Sequence, residues 1–92
     1  MFDIIREEND SKGRYVIVHN GHEAEMTYSK GGETMIIIDH TGVPDGLRGT
    51  GAGKALVERA VEDARKEGKK IVPLCPFAKA TIDRHPEWQD VL

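Results

Sequence analysis

Two periodicities divide the chain, and the change between them falls in the glycine-rich stretch after His40. Before it, short apolar runs alternate with polar positions at the period of half-buried strands: Phe2-Asp3-Ile4-Ile5, Tyr15-Val16-Ile17-Val18-His19, Ala24-Glu25-Met26-Thr27-Tyr28 and Met35-Ile36-Ile37-Ile38. Asn20-Gly21 separates the second run from the third, a strong hairpin signal because a tight two-residue turn needs positive φ at both positions. Gly31-Gly32 repeats the device before the fourth run, and a turn near Lys12-Gly13 is expected to close the first pair. The prediction is a four-strand antiparallel meander.

From Gly53 onward Leu56, Val57, Ala60, Val61 and Ala64 recur at helical spacing, with Glu58, Glu62, Asp63 and Glu67 assigned to a solvated face where Glu62 and Lys66 can pair. Gly68 is the expected stop, with Arg65 and Lys66 favouring the negative end of the helix. The next strand, Lys70 to Cys75, should lie parallel to the Met35 strand through a right-handed crossover. Pro73 and Pro76 cannot donate to a ladder, so this strand should stop pairing early or lie at an edge, leaving a gap. A short C-terminal helix follows; His85 before Pro86 helps end it, and Trp88 caps the core. The fold class is α/β (α+β) with a mixed, mostly antiparallel sheet, in a single domain spanning residues 1–92. Parallel neighbours share a carboxyl edge, so His40, the glycine stretch and Cys75 should gather there, where ligands of such sheets bind.

Composition narrows the function classes. With 92 residues, 38% hydrophobic and 32% charged, there is room for one soluble domain and one modest core, expected as a monomer or weak dimer. Cys75 is the one cysteine, so no internal disulfide can form and a reducing compartment, the cytoplasm, is expected. Neither a signal-like N-terminus nor a bilayer-length apolar run is present, so no membrane partner is expected. The formal net charge of −3 argues against a nucleic-acid surface.

Arg48-Gly49-Thr50-Gly51-Ala52-Gly53, read as following a strand directly and opening a helix, places backbone amides and a helix dipole where a phosphate could sit. Side chains at Gly51 or Gly53 would push the backbone off a pyrophosphate, and Gly49 suits a positive φ. No lysine followed by Ser or Thr, as in a P-loop, is present, and there is no full dinucleotide fingerprint after a first strand. Arg48-x-x-Gly51-x-Gly53 does resemble motif A of the GNAT N-acetyltransferase superfamily. His40-Thr41-Gly42-Val43-Pro44, Leu47-Arg48-Gly49, Leu74-Cys75-Pro76-Phe77 and Arg84-His85-Pro86-Glu87-Trp88 resemble its short, single-domain branch across nearly the whole chain. The resemblance implies a minimal GNAT fold with acetyl-coenzyme A (acetyl-CoA) in a V-shaped opening between the Met35 and Ile71 strands. Pantetheine would pair with backbone near Thr41 and Val43, and the phosphates would meet Arg48, Gly49, Thr50, Gly51, Ala52, Gly53 and Lys54. Larger members carry acceptor-binding helices between their first two strands. This chain has none, and it has Thr81 where many relatives carry a tyrosine that could protonate the leaving thiolate.

Acetyl transfer needs a neutral amine, yet a lysine amine has a pKa of roughly 10.4, so a base or water chain must remove its proton. His40 is the candidate base, with a loop-bonding histidine as the alternative reading. Cys75 could protonate the thiolate of coenzyme A (CoA), become an acylated nucleophile, or fill space as a small buried side chain. Backbone amides near Val43 or the opened sheet edge could meet the oxyanion. His19 and His22 lack a third ligand, so no metal is expected. The expected function is acetyl transfer from acetyl-CoA to a primary amine, on a protein or a small molecule, by direct attack. The alternative is a non-catalytic CoA-binding module serving as a ligand sensor or interaction domain.

Overall fold

The computed structural model of the protein describes residues 2–92. Strands β1 (Ile4–Glu8), β2 (Lys12–His19), β3 (His22–Gly31) and β4 (Met35–Gly42) form the meander. Helix α1 (Ala52–Glu67) then crosses to β5 (Lys70–Pro73), followed by α2 (Pro76–Asp83) and a terminal 3₁₀ helix (Pro86–Val91). The sheet order is β1-β2-β3-β4-β5, with β5 parallel to β4 and the other neighbours antiparallel. The predicted mixed sheet and its crossover helix are thus present.

The turns follow local chemistry, with one relocation. Asn20 (φ 51°) and Gly21 (φ 77°) make the two-residue turn, pairing His19 with His22. The second glycine turn is a three-residue loop in which Gly31 still pairs with Met35 and only Gly32 takes a positive φ (64°). The first turn lies upstream of the expected Lys12-Gly13. Asn9 Oδ1 accepts the amides of Ser11 and Lys12, both at 2.9 Å, and this side-chain turn reverses the chain before β2 begins. Gly13 is instead an in-strand glycine: a side chain there would run into the Tyr28 ring.

One face of the sheet packs on α1. Leu56, Val57, Ala60, Val61 and Ala64 are buried against Tyr15, Ile17, Met26, Ile36 and Ile38, and each large aliphatic side chain so buried contributes about 1.5–3 kcal/mol. Ala78, Ile82, Trp88 and Val91 extend the same core from α2 and the terminal 3₁₀ helix, so Trp88 caps the core as predicted. Gly68 ends α1 in the left-handed conformation (φ 68°), also as predicted.

Two acids assigned to the solvated helix face are not solvent-facing partners of water alone. Asp63 is buried and accepts hydrogen bonds from the Tyr15 hydroxyl (2.8 Å) and from Arg59 and Arg6 (3.3 Å each), while Glu67 pairs with Arg6. Asp63 falls seven residues after Leu56 and therefore on the same helix face, a spacing that outweighs its charge once partners are available. Glu58 and Glu62 are exposed, but Glu62 does not pair with Lys66 among the described residues.

The network extends to β1. Arg6 donates to the Tyr28 hydroxyl (2.9 Å), which donates to Glu8 (2.6 Å). That bond first, then Lys30 and Arg6, overcome the opposing effect of burial and lower the Glu8 carboxyl from 4.5 to about 2. A folded-state pKa below the unfolded value stabilises the fold above about 4.5, and the contribution is lost as pH falls toward 2. Wild type should therefore lose thermal stability over this interval more steeply than Glu8→Gln, the two curves converging near its lower end. Parallel melting curves would contradict the assignment.

Candidate functional site

The glycine stretch does not follow β4 directly. Pro44 sets a 3₁₀ turn, Asp45–Leu47, whose buried Leu47 anchors the chain before the loop begins. Gly49 (φ 77°) and Gly51 (φ 86°) both take the left-handed conformation, and Gly51 is the N-cap of α1. Thr50 Oγ1 donates to Leu47 O and accepts from the Ala52 amide at 3.3 Å, so Thr50 braces the loop from within. The Gly53 and Lys54 amides lie in the first turn, where no intrahelical acceptor exists. The surroundings of Gly49 and Gly51 are open: a Cβ at either would meet nothing within 4 Å. Gly53 differs, because its Cβ would lie 2.7 Å from the Phe77 ring. Its missing side chain lets α1 and α2 approach.

This loop forms one wall of a cleft of about 480 Å³. Thr41 at the end of β4 and Val43 just beyond it line it, with Leu47, Arg48, Gly49, Gly51, Ala52, Gly53 and Lys54. The opposite wall is α2 and the two residues after it: Phe77, Thr81, Arg84 and His85. A larger groove of about 680 Å³ lies elsewhere, near Glu7, Arg14, Ser29 and Asp39, but it is more open and its Arg14 is already paired with Glu7 at 2.7 Å.

The cleft opens where β4 and β5 part. Their register runs from Met35↔Lys70 to Ile38↔Pro73, after which the Leu74 and Cys75 amides both donate to Ile38 O at 3.1 Å. The last strand thus ends at Pro73 rather than Cys75, at the sheet edge as the prolines suggested. Cys75 becomes the N-cap of α2, and Pro76 starts that helix.

His40 and Cys75 are not brought together. A bulge in β4 leaves Asp39 unpaired between Tyr28↔Ile38 and Thr27↔His40, turning His40 to the Thr27 side of the sheet, away from the core face where Thr41 pairs with buried Met26. His40 is exposed and does not line the cleft. This corrects the expectation that His40, the loop and Cys75 share one edge pocket. Cys75, 5% exposed, lies behind Thr41, with Sγ 3.4 Å from Thr41 Oγ1. Burial pushes its thiol up, but hydrogen bonds from the Thr41 hydroxyl and from the Ala78 and Phe77 backbone outweigh that and leave it below the ordinary thiol value. Among the described residues, no group of three or more potential ligands could hold a metal.

Comparison with known proteins assigns this architecture. Residues 14–91 match the family model of the GCN5-related N-acetyltransferases. The chain belongs to that family. The NMR solution structure of a GCN5-like protein from Staphylococcus aureus superimposes with a TM-score of 0.76 at 39% identity, covering 98% of this chain and 86% of that one. Protein NATD1 of Xenopus tropicalis is 33% identical over 85 residues, 89% of this chain and 78% of the relative. Protein NATD1 of Homo sapiens is 32% identical over the same length, 89% of this chain and 75% of the relative.

Within this GCN5-related chain, sequence reasoning missed the α2 wall. Phe77, Thr81 and Arg84 stand four and three residues apart, a helical stripe beside the buried Ala78 and Ile82, and that spacing was the available signal. No helix of the described residues is long and apolar enough to cross a membrane. Thr41→Val should raise the Cys75 thiol pKa, shifting the pH midpoint of its alkylation by iodoacetamide upward. An unmoved midpoint would rule out the Thr41 hydroxyl as the group holding it down.

Proposed function

We propose that the protein transfers an acetyl group from acetyl-CoA to a primary amine. The observation that carries this reading is the coincidence, in one cleft, of the positive-φ glycine loop at the start of α1 with the unpaired edge of β4 beyond Ile38. Free first-turn amides and the helix dipole suit a pyrophosphate. The parted strands suit the amide-bearing pantetheine arm, whose polar groups can replace the missing strand partner at Thr41 and Val43. Membership of the GCN5-related family supports the same cargo.

In this reading the neutral amine attacks the thioester carbonyl, the carbon–sulfur bond breaks, and CoA leaves as a thiolate. His40 takes the amine proton from the Thr27 side of the sheet, so the acceptor approaches from the face opposite α1. Backbone amides along the opened edge near Val43 meet the developing oxyanion. Cys75, held below the ordinary thiol value behind Thr41, supplies the proton for the departing sulfur, a role that Thr81 cannot take because its hydroxyl already donates to Phe77 O at 2.8 Å.

The position of His40 and Cys75 outside the cleft lining favours one rival, a CoA-binding module without turnover. Incubation with acetyl-CoA, a thiol reporter and a panel of amines separates the two. Amine-dependent CoA release, lowered about 100-fold in His40→Ala, is the expected outcome. Heat of binding without release above buffer would select the rival, and no heat of binding would remove both.

Gly51→Leu tests the phosphate placement. A side chain at φ 86° costs about 1–2 kcal/mol of backbone strain but meets no protein atom within 4 Å. The variant should fold with a modestly lowered melting temperature and lose measurable CoA affinity. Wild-type affinity would show that the phosphates lie elsewhere.

A further inference from the structure

The charge of the cleft is opposite to that of the chain. The sequence holds 16 acidic residues against 13 lysines and arginines, yet every ionisable residue lining the cleft is basic: Arg48, Lys54, Arg84 and His85. The loop amides and Arg48 account for a pyrophosphate. They leave Arg84 and His85, on the other wall, without a function. We infer that this far wall, with Arg84 as its principal group, recognises the ribose 3′-phosphate of CoA, so that the protein distinguishes CoA from dephospho-CoA.

The inference rests on the CoA-binding reading above and adds a specificity determinant to it. Arg48 already pairs with Asp45 at 3.1 Å, whereas Lys54 and Arg84 form no ion pair among the described residues. His85 is fixed in place: its Nδ1 lies 3.2 Å from Glu87 Oε2, and its ring stacks on Trp88 with centroids 4.0 Å apart. His85 thus has an acidic partner of its own, whereas Arg84 is the cation of this wall with no ion pair among the described residues.

The order of side chains along α2 fits the ligand. Phe77 lies against Gly53, Thr81 follows, and Arg84 caps the C-terminal end of the helix, so the wall passes from aromatic to cationic along one stripe. CoA carries one phosphate beyond its pyrophosphate, a terminal monoester of nearly two negative charges with three acceptor oxygens. A guanidinium fork matches such a group in two parallel hydrogen bonds, which a lysine reproduces only as a point charge. A cation at the end of α2 also complements the helix dipole. That role would change stability and would treat both nucleotides alike.

Calorimetric titration of the whole chain with CoA and with dephospho-CoA, at low ionic strength, decides the matter. Wild type should bind CoA at least about tenfold more tightly than dephospho-CoA, the scale of one charge-assisted bidentate contact. Arg84→Ala should bring that ratio below about threefold, chiefly by weakening CoA, and Arg84→Lys should keep an intermediate ratio. Thermal melts establish that the variants are folded. Equal wild-type affinities, or a ratio unchanged in Arg84→Ala, would overturn the inference while leaving CoA binding intact. Absence of binding by either nucleotide to wild type would overturn it together with the reading on which it rests.

Discussion

The carbonyl oxygen of Ile38 takes two hydrogen bonds from the chain just beyond β5, and the site is arranged around that ending. Both Leu74 and Cys75 turn their amides to this single acceptor, at 3.1 Å each, so the chain swings away from β4 instead of continuing the ladder. Beyond it, His40–Gly42 keep β3 on one side and have no strand on the other. Because α1 is the crossover between these same two strands, its N-terminus lies at the carboxyl end of β4, beside the gap. A helix start with free amides and a strand edge with free backbone groups therefore come together as a consequence of connectivity.

The two ends of α1 are held in different ways. Near its C-terminal end, Asp63 and Glu67 are tied to Tyr15 and Arg6 across the sheet. At its N-terminal end the bracing is local: Thr50 bonds within the loop, Leu47 is buried, and two glycines absorb the positive φ values. Firm attachment at the far end fixes the helix, so the loop can leave its first-turn amides unpaired. Such amides cost free energy when they are buried, and here they face an open cleft where water or a ligand can satisfy them.

The bulge in β4 has the largest consequence for chemistry. Without Asp39 as an extra residue, strand alternation would place His40 on the same face as Ile36 and Ile38, under α1. With it, Thr41 returns to the core face and reaches Cys75, while His40 serves the opposite face. Histidine and thiol thus lie on opposite faces of the sheet.

Period and turn chemistry were legible from residues alone: alternation for the strands, the helical stripe of α1, Asn20-Gly21 and Gly68, because each depends on neighbours within a few positions. The glycine loop was legible for the same reason, as its positive-φ positions accept few other residues. Tertiary structure decided what depended on distant partners. Asp63 is buried because Tyr15 and Arg6 come to meet it, and Gly53 is bare because Phe77 lies against it. The side of the sheet that His40 serves was settled by one unpaired residue, since a shift of one position inverts a strand of period two, and no local pattern records it.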